Sequence, residues 1–146
     1  MGILKWLFGK PTPRPHETRD VILTTLPDPP PNGRDYPYEA VGESHYQREL
    51  SQICGGKTED GYNLQRRAEL RPEPNNPHDK NAVAVHISGK KVGYLSRKDA
   101  IRWNKHLAEL GRPGATTGAD AMITGGWLRR DGRDIDEGDF GVRLRL

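Results

Sequence analysis

Hydrophobic positions come in short stretches separated by Gly, Pro, Asn and Asp, and most of the stretches alternate with polar residues. That period of two predicts strands, each bounded by turn chemistry. Tyr38–Tyr46 reads as a first strand broken at Gly42, and Gln47–Gly56 as a short helix or loop ended by Gly55-Gly56. In Asn63–Leu70, alternating Leu64, Arg66, Ala68 and Leu70 favour one buried face. Ala82–Ile87 and Lys91–Leu95 form two more strands, and Ser88-Gly89-Lys90 between them is a hairpin signal. Ser96-Arg-Lys-Asp99 is a capping-box variant opening a helix to about Leu110. Ala100, Trp103, Leu107 and Leu110 recur on it at spacings of three and four, so all four are expected to pack on the sheet, with Trp103 a core residue. Asp120–Arg130 and Asp139–Leu146 supply two last strands, with Asp131-Gly132 and Glu137-Gly138 marking the turn between them. No internal repeat is present. Five to seven short strands and one or two helices are most simply assembled as a mainly β fold: a small, partly closed, OB-like antiparallel barrel with helix packed against it.

The pattern changes character before residue 38. Residues 1–10 are a short apolar segment in which Ile3, Leu4, Leu7 and Phe8 would share one face if two helical turns formed, although a frayed terminus or a docked cap is the expectation. It is too short to cross a bilayer and lacks a small-residue cleavage site. Residues 11–37 are proline-rich, with Pro27, Pro29, Pro30 and Pro31 clustered, and read as a linker interrupted by a possible edge strand over 21–26. The domain proper is expected over 38–146.

Composition agrees with this picture. Only 33% of residues are hydrophobic, against 17 Gly and 12 Pro, which favours a turn-rich β domain with a modest core. The lone Cys54 leaves no internal disulfide and no multi-cysteine zinc site, and fits a cytoplasmic setting. Net charge is +3 but uneven: Lys57–Lys105 holds eleven Lys or Arg against six Asp or Glu. Such a bias can attract a polyanion or be a solvated surface.

The densest chemistry lies in Leu70–Val85. Pro72, Pro74 and Pro77 hold the chain extended or turning. Asn75, Asn76, Asp79 and Asn81 crowd short polar side chains onto that constrained backbone, where they build Asx-turns or point at a ligand. Asn81 leads straight into the buried strand and is expected to be structural.

Glu73-Pro-Asn-Asn-Pro-His-Asp-Lys-Asn-Ala-Val83, followed by Val92-Gly-Tyr-Leu95 and preceded by Val41-Gly42, resembles the HIRAN domain, over roughly Tyr38–Leu146. The resemblance implies an OB-like barrel that captures the 3′-hydroxyl end of single-stranded DNA, in a repair, replication or mobile-element setting. The family's Asn-Asn-Pro-aromatic-Asp run matches Asn75, Asn76, Pro77, His78 and Asp79. An aspartate there accepts from a terminal hydroxyl and repels the phosphate of a continuing strand. The two asparagines would hold the adjacent sugar or backbone, and His78 would offer a ring face or a proton. The relatives' basic-aromatic-aromatic run matches Ser44-His45-Tyr46, with only the last aromatic kept, so stacking is expected to be weaker here. Tyr94 stands where a relative has a histidine near the phosphate, and Phe140 matches a base-contacting aromatic. Lys90, Lys91, Arg97 and Lys98, with Arg66 and Arg67, are the candidate phosphate contacts; as a set they predict salt-dependent binding. Trp127 is undecided between groove and core.

Two other readings remain open. A protein-interaction adaptor would keep the fold without nucleic-acid affinity and dock a partner through residues 1–8 and the proline segment. A metal-dependent hydrolase would use His78 and Asp79, with His45, as zinc ligands, but no HExxH or paired Cys-His spacing accompanies them. No P-loop or Gly-x-Ser-x-Gly is present, so the chain reads as a non-enzyme without cofactor.

Overall fold

In the computed structural model, residues 22–146 are described. Expectations for the apolar segment 1–10 and for residues 11–21 of the proline-rich stretch lie outside them. Nine strands and two α-helices follow in the order β1 (Ile22–Leu23), β2 (Tyr38–Val41), a 3-10 turn (Glu43–His45), α1 (Gln47–Cys54), β3 (Tyr62–Pro72), β4 (Val83–Ile87), β5 (Lys90–Leu95), α2 (Arg97–Glu109), β6 (Thr117–Gly125), β7 (Leu128–Asp131), β8 (Asp134–Glu137) and β9 (Phe140–Arg145). Strands β6-β3-β4-β5-β2-β9 neighbour one another in that order, and β9 pairs again with β6. All six pairings are antiparallel, so a six-stranded barrel closes completely. Closure removes the open edges that strands of four to eleven residues would otherwise expose.

The core fills the barrel from alternating positions. Ala68 and Leu70 on β3, Val83, Val85 and Ile87 on β4, Val92 and Leu95 on β5, and Val142 and Leu144 on β9 are all buried. The β4–β5 hairpin turns at Ser88 and Gly89, both at positive φ (52° and 75°), the backbone that a tight two-residue hairpin requires. Helix α2 begins where Ser96 Oγ accepts from the Asp99 amide at 3.1 Å. It buries Ala100, Trp103 and Leu107, as its spacing predicts. Leu110 does not join them: it is the C-cap residue, 49% exposed, because the helix ends one residue short of completing the stripe.

Residues 24–37 are not a free linker. Ile22–Leu23 pairs parallel to Thr117–Gly118 at the sheet edge, and Leu26 is buried in the core. The stretch is further tied to α2 by a 2.7 Å bond between Thr24 Oγ1 and His106 Nε2 and by Arg102 donating to the Pro27 carbonyl at 3.1 Å.

The expected single strand 120–130 is in fact two. Gly125 and Gly126 take φ of 71° and 70°, and a Cβ at 126 would collide with the Phe140 ring, so the chain turns sharply there. Beyond the turn, β7 and β8 form a separate two-stranded ribbon around Asp131–Asp134. Trp127 at its base bridges to Thr58 and lies against Gly138.

Candidate nucleic-acid interface

The loop between β3 and β4 folds largely on itself. Its neck is closed by Glu73 N–H donating to Ala82 O at 2.8 Å. Asn76 Oδ1 accepts from the amides of His78 (2.9 Å) and Asp79 (3.1 Å), and Asp79 Oδ1 accepts from the Asn81 amide (2.8 Å). Two of the candidate ligand contacts thus shape the turn, as the prolines and short polar side chains allow. The backbone of Asn81 is tied into the fold at both ends: its amide donates to Asp79 Oδ1 and its carbonyl accepts from Asn104 Nδ2 of α2 at 2.9 Å.

Between this loop and β5 lies an open groove of about 650 Å³, lined by Pro72–His78, Lys91 and Tyr94. On a regular strand, positions 91 and 94 point to opposite faces. They meet here because β5 carries one extra residue: His86 pairs with Lys91, yet Val85 pairs with Gly93. The bulge shifts the alternation and brings Lys91 and Tyr94 to the same side; Gly93 beside it leaves room for β2, since a Cβ there would meet the Val41 carbonyl oxygen. Lys91 Nζ then donates to the Tyr94 hydroxyl at 2.9 Å and stands 5.0 Å from the centre of its ring.

Sequence reasoning missed the residue at the centre of this cluster, Glu73. Its carboxylate accepts from Lys91 Nζ at 2.6 Å, from the Tyr94 hydroxyl at 2.9 Å and from Asn76 Nδ2 at 3.1 Å. Burial alone would raise the Glu73 carboxyl, but the bonds from Lys91, Asn76 and Tyr94 outweigh it and hold it below the usual carboxylate range. Burial likewise works to lower Lys91, and the bonds to Glu73 and Tyr94 override it, raising the ammonium above an ordinary lysine. Tyr46 flanks the cluster: burial and then the neighbouring Tyr94 hydroxyl push its phenol up.

The structure therefore gathers Asn75, Asn76, His78, Lys91 and Tyr94 around one groove, with Tyr46 beside them. Asp79 is half-buried at the foot of the loop and does not line it. His45 is exposed on the 3-10 turn. Lys90 sits on the β4–β5 turn, and Arg97 and Lys98 on the first turn of α2, all three exposed and outside the groove. Phe140 is a correction. Only 3% exposed, it packs against Tyr62 with ring centres 5.8 Å apart, and Gln47 clamps its backbone amide and carbonyl at 2.8 and 2.9 Å. A ring held inside the core has no face to offer a base.

The basic bias also resolves into separate places. Arg66 and Arg67 line a different groove of about 370 Å³, with Tyr36, Gln65, Asp120 and Arg145. Trp127 belongs to the base of the β7–β8 ribbon, 6.0 Å from the Arg129 guanidinium. Among the described residues no three His, Cys, Asp or Glu side chains converge as a metal-ligand set, and no helix is long and apolar enough to cross a membrane.

No curated protein and no solved structure matches the chain significantly. A family model does: the HIRAN domain matches residues 35–116, more than half of the 146. The match runs from before β2 through α2 and contains the whole groove, while β6 and β9, which close the barrel, lie beyond it. The chain belongs to the HIRAN domain family, a family of nucleic-acid-binding modules.

Proposed function

We propose that this protein binds single-stranded DNA at its 3′-hydroxyl end through the groove between the 73–81 loop and β5. The observation that carries the reading is the convergence, within the family match, of Asn75, Asn76, His78, Lys91 and Tyr94 on one open groove. That set combines amide donors and acceptors for sugar and phosphate, an ammonium, and aromatic faces for a base, the mixture single-strand recognition uses. Tyr46 stacks the base nearest the end in place of the buried Phe140. Asp79 stands beside the groove at the foot of the loop and reads the strand's end where it leaves the groove: Oδ1 is committed to the Asn81 amide, and the other carboxylate oxygen accepts the terminal hydroxyl. A 3′-phosphate at that position meets a carboxylate and is rejected.

Fluorescence anisotropy with two short single-stranded DNAs, one ending in a free 3′-hydroxyl and the other in a 3′-phosphate, tests this on wild type and Asp79→Ala. Preference for the hydroxyl end, lost in the variant, is the expected result. Salt-sensitive binding that ignores the end would leave a general single-strand groove without end recognition. No binding to either DNA would sink the proposal and favour the adaptor reading.

A further inference from the structure

Three donors of different chemistry point at one carboxylate in the groove: the Lys91 ammonium, the Tyr94 hydroxyl and the Asn76 amide, all within 3.1 Å of Glu73. A lysine held for an incoming polyanion has no need of such an arrangement, because the carboxylate already takes its charge. We infer that Glu73 is a resident counter-ion occupying an oxyanion subsite, and that a phosphate oxygen of the bound strand takes its place; this rests on the single-strand reading above.

The chemistry of exchange is balanced. A phosphodiester carries one negative charge spread over two oxygens, as a carboxylate does, so it can accept the same three bonds. The Glu73 side chain can leave without unfolding the loop. The neck is held by the Glu73 backbone, whose N–H donates to Ala82 O and whose carbonyl accepts from Asn76 N, and not by the carboxylate. Glu73 lines an open groove and its side chain is 27% exposed, so a displaced side chain has solvent to enter. Glu73 then limits affinity for strands that cannot supply a phosphate at that point, because such a strand would not displace it. Its function is discrimination, at the expense of affinity.

Glu73→Gln is the direct test, since it keeps the shape and the acceptor for Tyr94 and Asn76 while removing the charge. Anisotropy with a short single-stranded DNA is expected to show binding about five- to tenfold tighter than wild type. The net charge of the site rises by one, so the slope of log affinity against log salt steepens by about 0.7. Adding Lys91→Met to Glu73→Gln abolishes the gain, and Lys91→Met alone weakens wild-type binding by about two- to fivefold, because the phosphate that displaces Glu73 loses its cation. Unchanged or weaker binding by Glu73→Gln, with native amide spectra, overturns the inference.

A second measurement separates this from failure of the binding reading. Inorganic phosphate is titrated against both proteins while the Asn76 side-chain amide is followed by NMR. A saturable shift in Glu73→Gln and none in wild type supports the subsite even if neither protein binds DNA. DNA binding by both, without phosphate shifts or a gain in the variant, leaves the function standing and removes the subsite. A gain for an acidic peptide but not for DNA or phosphate also overturns it.

Discussion

Two parts of the barrel surface carry cations against carboxylates, and they are built differently. In the groove, one carboxylate receives three donors, and both Glu73 and Lys91 have less than a third of their side chains exposed. On the outer face of β3, β6 and β9, Arg67, Asp120 and Arg145 stand directly opposite one another across three strands. Arg67 donates to Asp120 Oδ1 at 2.7 Å, Arg145 approaches Oδ2 at 3.8 Å, and all three side chains are about half exposed. The outer row is a cross-strand charge ladder that neutralises itself in solvent, where each pair contributes about 0–1 kcal/mol. The groove concentrates its donors on one point, less exposed than the outer row, which is what recognition of a single anion requires. Cations set against carboxylates thus serve one purpose by converging and another by alternating.

Breaking the convergent side should have the larger consequences. Asn76 is the keystone, because its Oδ1 serves two backbone amides while its Nδ2 serves Glu73. Asn76→Ala leaves those groups without partners and is expected to cost about 1–3 kcal/mol in urea unfolding. It should also reduce single-strand binding more than tenfold, since the loop wall is no longer held. Asn76→Asp keeps the acceptor but sets a second carboxylate beside Glu73, so it should recover most of the stability and little of the binding.

Tyr94→Phe is a milder cut, removing the hydroxyl that bridges Lys91 and Glu73 but keeping the ring over which the ammonium lies. A loss of about 1 kcal/mol is expected. The Lys91 ammonium should titrate closer to an ordinary lysine when followed by NMR, since one of the bonds that raises it is gone.

Acid should act on the groove in a definite direction. The folded-state pKa of Glu73 lies below its ordinary value, so its contribution to stability is fully present above the unfolded value. It is lost as pH falls through the depressed folded pKa. Urea unfolding from neutral pH down into the carboxylate range should show this loss in wild type and a smaller one in Glu73→Gln. A pH profile unchanged by that substitution would mean that the carboxylate contributes nothing in its folded setting.

The barrel could be read from the chain because its information is local. Alternation in Leu64–Leu70, the apolar run Ala82–Ile87, Ser88-Gly89 between two strands, and a serine ahead of Ala100, Trp103 and Leu107 each specify an element without reference to the others. The loop of the site was equally visible, since prolines and asparagines restrict the backbone wherever they stand. What escaped was anything depending on register. The bulge that unites Lys91 with Tyr94 exists only in the pairing of β4 with β5, and Glu73 becomes central only once that bulge has formed. Phe140 failed for a related reason: an aromatic at the start of a strand reads the same whether it faces a groove or a core. The turn at Gly125-Gly126, which sends the chain past its ring, decided the matter. The basic bias misled because it was counted along the chain, while β3 carries Arg66 and Arg67 to a different face from Lys91.

The outer ladder offers the smallest effects and the sharpest contrast. Arg67→Ala should change stability by less than about 1 kcal/mol and single-strand affinity less than twofold, because an exposed pair is largely screened. Asp120→Ala is the more telling variant, since it removes the one carboxylate between two guanidiniums. Unneutralised, Arg67 and Arg145 form a diffuse positive patch that attracts any polyanion weakly. A small gain in binding to double- and single-stranded DNA alike is expected, and it should vanish at moderate salt and ignore Lys91→Met. The gain from Glu73→Gln should instead favour single strands and depend on Lys91. Should the two substitutions give gains with the same strand preference and the same indifference to Lys91, convergence would carry no recognition, and the groove would be one more stretch of charged surface.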